Sequence, residues 1–484
     1  MDIGNLSLQT GDRFPAAPSE IEAIATPEVL VVGGGPAGVA AALAAAETGA
    51  DCLLLEASGR LGGMMTRGNA GLTNSIFHHK DPEAQRAITA ALAAAPDAVR
   101  IVGGLPKRIM DRALGEGIAV GAHRTEGSYV FTAPAEFNWM LMDLCEENRV
   151  KVLLHAFCID ALCDGKRIRG AVIQGKQGAQ AVVARRVIDA SGDGDVAARA
   201  GAPFVVGIGP GDKAFEAAPE HAGKMGALGV MYRIGNVNLG KALAWMAENP
   251  GHFAPQGLAK YSLQDARAFL ERGEMVTFMA RGERFSLQVY NSPQSGVVTL
   301  CCPCFSGNGL KLTDLTRAEF AMRDRIREQL ADVRRIPGFE RCILLDVPEI
   351  GVRETRHIRG EHLLTVDDLL ERRKFPDSIG RGSHTIDTDH VPREILERDL
   401  GDDWAFQIPY RCLVPLEVEN LLVAGRCASF SHEAFGAART TVQCMIMGEA
   451  AGVAAALSLR AQTTPRRLPY KMLAAELRRR GVRL

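Results

Sequence analysis

The rhythm of apolar and polar positions changes several times along the chain, and each change marks an element. Val29-Leu-Val-Val32 is wholly apolar, as in a strand buried on both faces of a parallel sheet. Gly33-Gly-Gly-Pro36 breaks that run. Ala37 to Thr48 then reads as an Ala-rich helix ended by Gly49, and Cys52-Leu-Leu-Leu55 as a second strand closed by Glu56. Together they make one complete βαβ unit. Val29 to Ala46 also carries no charge over 18 residues, which meets the length of a membrane span. The Gly-Pro break, with three of the run's four β-branched residues before it, favours strand, turn and helix instead.

Further along, residues 84–95 predict another Ala-rich helix. Pro134 opens a helix with Phe137, Met140, Leu141 and Leu144 on one face. Lys151 to His155 predicts a strand, Asp164-Gly165 a hairpin turn, and Arg186 to Ala190 a further strand that runs into Ser191-Gly-Asp-Gly-Asp195. From about 200 to 405 the chain is more charged and richer in Pro. There Thr316-Arg-Ala-Glu319 predicts a capping box opening a long helix, and Thr365-Val-Asp-Asp368 a related start. Gly351 to Gly360 predicts a strand with Arg353, Thr355 and His357 on one face and Glu354 and Arg356 on the other. After Ile408 the apolar style returns, with a strand at Leu421 to Ala424, a helix from Thr440 and a last helix opened by Pro469.

This alternation predicts a discontinuous nucleotide-binding domain over 26–75, 130–200 and 405–484. Residues 76–129 and 201–404 would be inserted into it, and residues 1–25 would form an N-terminal arm. A chain of 484 residues suits such a division. Composition narrows the partners. With 47% apolar and 23% charged residues and a net charge of −1, no basic face is implied. Nucleic acid and anionic membrane are therefore not expected as partners. Eleven scattered Cys, without a signal-like apolar core in residues 1–25, predict reduced thiols and a cytoplasmic setting.

Gly33-Gly-Gly-Pro-Ala-Gly38 fits G-x-G-x-x-G between a strand and a helix, and Glu56 follows Gly33 by 23 residues. In a dinucleotide site Gly33 permits the tight turn and Gly35 lets backbone approach a pyrophosphate. Gly38 lets helix and strand pack closely. Pro36 and Ala37 open the helix, whose free N–H groups and dipole favour phosphate. Glu56 can accept ribose hydroxyls. The motif alone does not separate NAD from FAD.

Four stretches together carry a resemblance: Val31 to Gly38 with Glu56, Gly59-Arg-Leu-Gly-Gly-Met-Met-Thr-Arg67, Val187 to Asp195, and Asn420-Leu-Leu-Val-Ala-Gly-Arg426 with the cluster after it. With them the chain resembles FAD-dependent oxidoreductases of the glutathione-reductase fold, related to the fumarate reductase and succinate dehydrogenase flavoproteins. The resemblance implies an α/β protein, a Rossmann-like FAD-binding domain of the glutathione-reductase type with an inserted α+β substrate or cap domain. It implies FAD contacts from Arg60, Gly62 and Gly63 along the pyrophosphate and flavin, and from the Ala156-Phe157 backbone beside the adenine. Ser191, Gly192 and Asp193 would approach from a third strand, and Gly425 and Arg426 would sit by the ribityl chain and pyrophosphate. No Cys pair stands where disulfide reductases of this fold carry one; Met64-Met65 does.

Other chemistry is weighed the same way. Cys301-Cys-Pro-Cys304 is a lone C-x-x-C, short of the four ligands of a metal site, so no metal is expected. His78 and His79 read as loop residues. Arg353 and its basic neighbours suggest a place for an anion, with His357 where the family usually has Arg. In Cys427 to Thr441, a polar loop is expected to lead Ala438, Arg439 and Thr440 into a helix N-terminus aimed at the flavin. His432 is the candidate general acid or base, oriented by Glu433, and Arg439 or Arg353 would orient substrate.

The expected activity is two-electron transfer between a small organic substrate and flavin N5. The alternatives are an O2-using FAD monooxygenase and a flavoprotein subunit feeding an iron–sulfur partner; a non-enzymatic FAD scaffold is the bland option. The electron donor or acceptor and any homo-oligomer stay open.

Overall fold

The computed structural model describes residues 20–69, 72–73, 101–121, 129–255, 262–271, 273, 276–301, 304–398, 400 and 404–484. The helix expected over 84–95, His78 and His79 lie outside the described residues.

Strand β1 (Val29–Val32) is followed by helix α1 (Pro36–Glu47) and β2 (Cys52–Leu55). Strands β3 (Lys151–Leu153), β4 (Arg186–Asp189) and β5 (Leu421–Val423) complete a five-stranded, wholly parallel sheet in the order β5-β4-β1-β2-β3. β1, β2, β4 and β5 are buried throughout, which is why they read as uninterrupted apolar runs. Short helix α2 (His432–Ala438) and long helix α3 (Thr441–Arg460) follow β5.

Helices α1 and α3 cross almost backbone to backbone. A Cβ on Gly448 would stand 2.0 Å from the Ala37 carbonyl oxygen, and one on Gly452 would stand 2.1 Å from that of Ala41. Among the described residues α3 is the one helix long and apolar enough to cross a membrane, and it lies wholly inside this core.

Several expectations shift. Cys427 to Thr441 is not a plain loop: Ser431 caps α2, accepting from the Ala434 N–H at 3.3 Å, and every residue of α2 is buried. The helix expected to open at Thr316 begins at Leu312, and the Thr316 hydroxyl instead donates back to the Leu312 carbonyl at 2.8 Å. Thr365 and Asp368, by contrast, form a complete capping box. The Gly351–Gly360 strand shrinks to Arg356–Ile358, paired with Phe204–Val206.

Core membership also moves the expected division. A second core gathers Val230, Tyr232, Phe278, Val289, Leu300, Met322, Ile326 and Phe339 around a six-stranded sheet that runs from Met231 to Asp346. Residues 101–119 and 358–404, expected with the insert, bury Leu105, Ile109, Ile358, Leu369 and Trp404 in the core of the nucleotide-binding sheet. Their apolar side chains are claimed by α3 and its neighbours, a long-range preference that local pattern does not carry.

Candidate active site

Because β1, β2, β4 and β5 run parallel, their C-terminal ends open on one side of the sheet, where α/β proteins bind ligands. A cleft of ≈ 890 Å³, partly open to solvent, lies there. Its wall is built from Gly33, Gly35, Pro36 and Ala37 after β1, Glu56 after β2, Ala190 to Asp193 after β4, and Ala424 to Arg426 after β5. Gly63, Met64 and Arg67 close one side. Glu349, Ile350 and Val352 face them from beyond the second core, and Cys444 enters from the first turn of α3.

The glycines divide by what surrounds them. A Cβ on Gly38 would stand 1.6 Å from the Gly33 carbonyl oxygen, and one on Gly33 would stand 2.4 Å from that of Ala190. Those two glycines serve the protein's own packing. A Cβ on Gly35 would meet nothing within 4 Å, yet Gly35 caps α1 at the edge of the cleft. The space it keeps free lies in front of the unsatisfied amides of a helix N-terminus, where an anionic group is held. The residues present therefore fit a dinucleotide pyrophosphate.

Glu56 is 5% exposed and already well supplied with donors. Its Oε2 accepts from Gly34 N–H at 2.8 Å; its Oε1 accepts from Ser58 N–H at 2.7 Å and Arg67 Nη1 at 3.2 Å. Three donors on about four lone-pair sites leave room for one more. Arg67 is also paired with Glu349, so it ties the end of β2 to the far wall. Across the cleft, Asp193 Oδ1 accepts from Arg426 Nη2 at 3.0 Å and from the Thr355 hydroxyl at 2.8 Å, joining the loops after β4 and β5. The Ser191 hydroxyl donates to Asp189 Oδ1 at 2.6 Å, which holds the turn it sits in.

Not all expected cofactor contacts gather here. Gly62 lies just outside, its N–H donating to the Gly34 carbonyl at 2.8 Å, so it pins the 59–67 segment to the Gly-rich loop. Arg60 is exposed and only borders the Ser58 turn, and Phe157 is 56% exposed; neither lines the cleft. Ala438, Arg439 and Thr440 also stand outside the lining, because α2 turns that stretch into the interior before α3 begins. Arg67 closes the 59–67 stretch without a sequence pattern that marks it, and Glu349, Ile350 and Val352 carry no local signal.

Behind the cleft sits a buried polar knot. Glu354 Oε1 receives His432 Nδ1 at 2.8 Å and His357 Nε2 at 2.7 Å, and its Oε2 accepts from Gly226 N–H at 2.6 Å. His432 Nε2 meets the Asp389 carbonyl at 2.7 Å, so both of its ring nitrogens are engaged in a fully buried side chain. His432, the candidate general acid or base, therefore stands outside the cleft lining. The face assignment is corrected as well, since Glu354 and His357 touch.

Burial alone would raise Glu354, but hydrogen bonds and charge from the two imidazoles hold it well below the usual carboxylate range. Burial likewise opposes charge on His432, yet Glu354 pushes it up to about 9. Glu433 does not orient His432 through its side chain: its Oε1 accepts from Ala214 N–H at 2.7 Å, and burial raises its pKa.

Arg439 donates to the Asp387 carbonyl at 2.9 Å and to Asp387 Oδ2 at 3.1 Å, and stacks over Phe435. Arg353, next to Val352 in the cleft wall, is different. It is partly buried, and its guanidinium has no hydrogen-bond partner among the described residues. Burial disfavours its charge, but nearby Cys304, Asp387, Cys301 and Asp389 outweigh that and raise its pKa. Burial keeps the cleft thiol Cys444 protonated, pushing it up to about 12.

The match to known families decides the cofactor: a family described as FAD dependent oxidoreductase covers residues 28–477. The chain belongs to that family. FAD is its cofactor, and the Rossmann-like sheet is its FAD-binding part. No curated protein sequence is significantly similar to this flavoprotein.

Among solved structures it is similar to a geranylgeranyl bacteriochlorophyll reductase-like protein from Thermoplasma acidophilum, at 14% identity and a TM-score of 0.46 over 94% of this chain and 84% of that one. A myxobacterial chondrochloren halogenase gives 14% and 0.45 over 94% and 79%. A flavoprotein/dehydrogenase from Cytophaga hutchinsonii gives 14% and 0.44 over 90% and 79%.

Proposed function

We propose that this flavoprotein carries out two-electron transfer between a small organic substrate and FAD, with the substrate on the side of Ile350 and Val352. The observation that carries the reading is the two-sided cleft: sheet loops on one wall, Glu349 to Val352 on the other. Bound FAD supplies hydride acceptance or donation at its N5. The four framing motifs support a flavin domain of the glutathione-reductase type, close to the fumarate reductase flavoproteins.

The chain's own groups then have distinct tasks. Gly35, Ala37 and the α1 amides hold the pyrophosphate, and Glu56 takes ribose hydroxyls. The positive end of α3, at Cys444, favours negative charge in the cleft. Arg353 receives an anionic group of the substrate, such as a carboxylate, since its charge is maintained and its donors are free. Arg439 is the lesser candidate because Asp387 already holds it.

His432 and His357 are positioning residues in this reading. They fix Glu354 and through it the 353–357 segment that bears Arg353.

The test is anaerobic titration of the FAD-loaded protein with a panel of carboxylated and neutral metabolites, following visible flavin absorbance. Bleaching or reoxidation by a carboxylated compound, with KM raised at least tenfold and kcat little changed in Arg353→Gln, is the expected result. Flavin that no compound reduces without O2, but that turns over NAD(P)H with O2 and a substrate, would replace this reading by a monooxygenase.

A further inference from the structure

The opposite end of the nucleotide-binding sheet holds a second concavity with an unusual charge. Arg167 and Arg169 share one face of the strand Arg167–Gly175 by their spacing, and Arg185 and Arg186 enter β4 beside them. All four line one pocket, together with Thr26 and Asn420, and its lining contains no carboxylate. β4 therefore runs from this pocket to the FAD cleft, with Arg186 at one end and Asp189 and Ser191 at the other.

Arg186 forms the floor. It is 9% exposed, yet its guanidinium meets only neutral oxygens: Ser458 Oγ at 2.8 Å, the Arg185 carbonyl at 2.7 Å and the Thr463 carbonyl. A buried cation without a counter-charge is costly. Burial, then the charges of Arg185 and Arg167, depress its pKa. Arg167 and Arg169 are exposed, and their guanidinia have no hydrogen-bond partner among the described residues. Arg185 alone has a carboxylate, Glu28, at 3.2 Å. The neighbouring Glu419 is held by Arg466 at 2.7 Å.

Guanidinium forks lining one concavity match the oxygens of phosphate, whose geometry takes bidentate guanidinium contacts.

We propose that this pocket binds a small soluble anion bearing one or two phosphate groups, at a site separate from the FAD cleft. Four arginines, one of them paired with Glu28, suit a multiply charged ligand. The buried floor at Arg186 favours a free molecule that can enter the concavity over a flat membrane surface.

Inorganic pyrophosphate is the probe, titrated by calorimetry into the FAD-loaded protein at low ionic strength, so that the cofactor's own pyrophosphate site is filled. Saturable binding of one equivalent, weakened about tenfold or more in Arg167→Gln/Arg169→Gln, is expected. Both substituted residues are exposed, so flavin content should stay that of the wild type. Absence of saturable binding, or equal affinity in the variant, would overturn the proposal. So would co-sedimentation with phosphatidylglycerol vesicles, lost in the variant, in a protein that does not bind pyrophosphate; the pocket would then belong to a lipid surface.

Discussion

The FAD cleft and the polar knot behind it lie in the same part of the molecule and use opposite materials. The cleft is lined by glycines, short apolar side chains and a few ions at its rim, with Gly35 keeping space that no protein atom fills. The knot is filled with Glu354, His357, His432 and Glu433, all at most 2% exposed; Glu354 answers both imidazoles, and His357 Nδ1 alone of their ring nitrogens has no hydrogen-bond partner among the described residues. Residue types that chemistry would nominate as catalytic are spent on holding the protein together. Residues with no functional groups make the room for the cofactor.

The sharpest way to break this contrast is at Gly38. Gly38→Val places side-chain atoms into the Gly33 carbonyl, where even a Cβ would be 1.6 Å away. A loss beyond about 4 kcal/mol is expected, seen as little soluble, folded protein by circular dichroism.

Glu354→Ala tests the knot. It leaves His432 buried without its counter-charge, and a loss of about 3–5 kcal/mol is expected in urea unfolding, more than for Glu354→Gln. Equal and small losses for both would mean that the knot is not structural.

Gly35→Val tests the cleft by the reverse logic. A Cβ there meets no protein atom within 4 Å, so thermal stability of the FAD-free protein should hold. FAD affinity should fall at least tenfold, about 1.4 kcal/mol, by fluorescence titration.

The pH dependence of stability sharpens the knot further. His432 has its pKa raised in the folded state, so its contribution is complete below the unfolded value and is lost as pH climbs toward about 9. Glu354 is depressed, so its contribution is complete above the ordinary carboxylate range and is lost as pH falls through it. Tm should decline on the alkaline side through this range, and His432→Gln should flatten that decline.

The smallest effect belongs to neither region. Thr365→Ala removes the capping box of the helix Val366–Leu370, which makes none of the knot's hydrogen bonds, and about 1 kcal/mol should be lost with FAD affinity unchanged.

The sequence alone determined the βαβ unit, the Gly-rich loop with Glu56, and the parallel strands at Arg186 and Leu421. These depend on local physics: unbroken apolar runs, obligatory glycines and a helix start. Thr365 and Asp368 were legible as a capping box for the same reason, since donor and acceptor lie three residues apart.

Only the tertiary structure decided which polar residues face the cleft. His432 and Glu354 are 78 residues apart, and Arg67 and Glu349 are 282 apart. No periodicity or motif carries a pairing at that distance. Whether a histidine stands in a site or closes a buried network depends on what the rest of the chain brings to its two nitrogens.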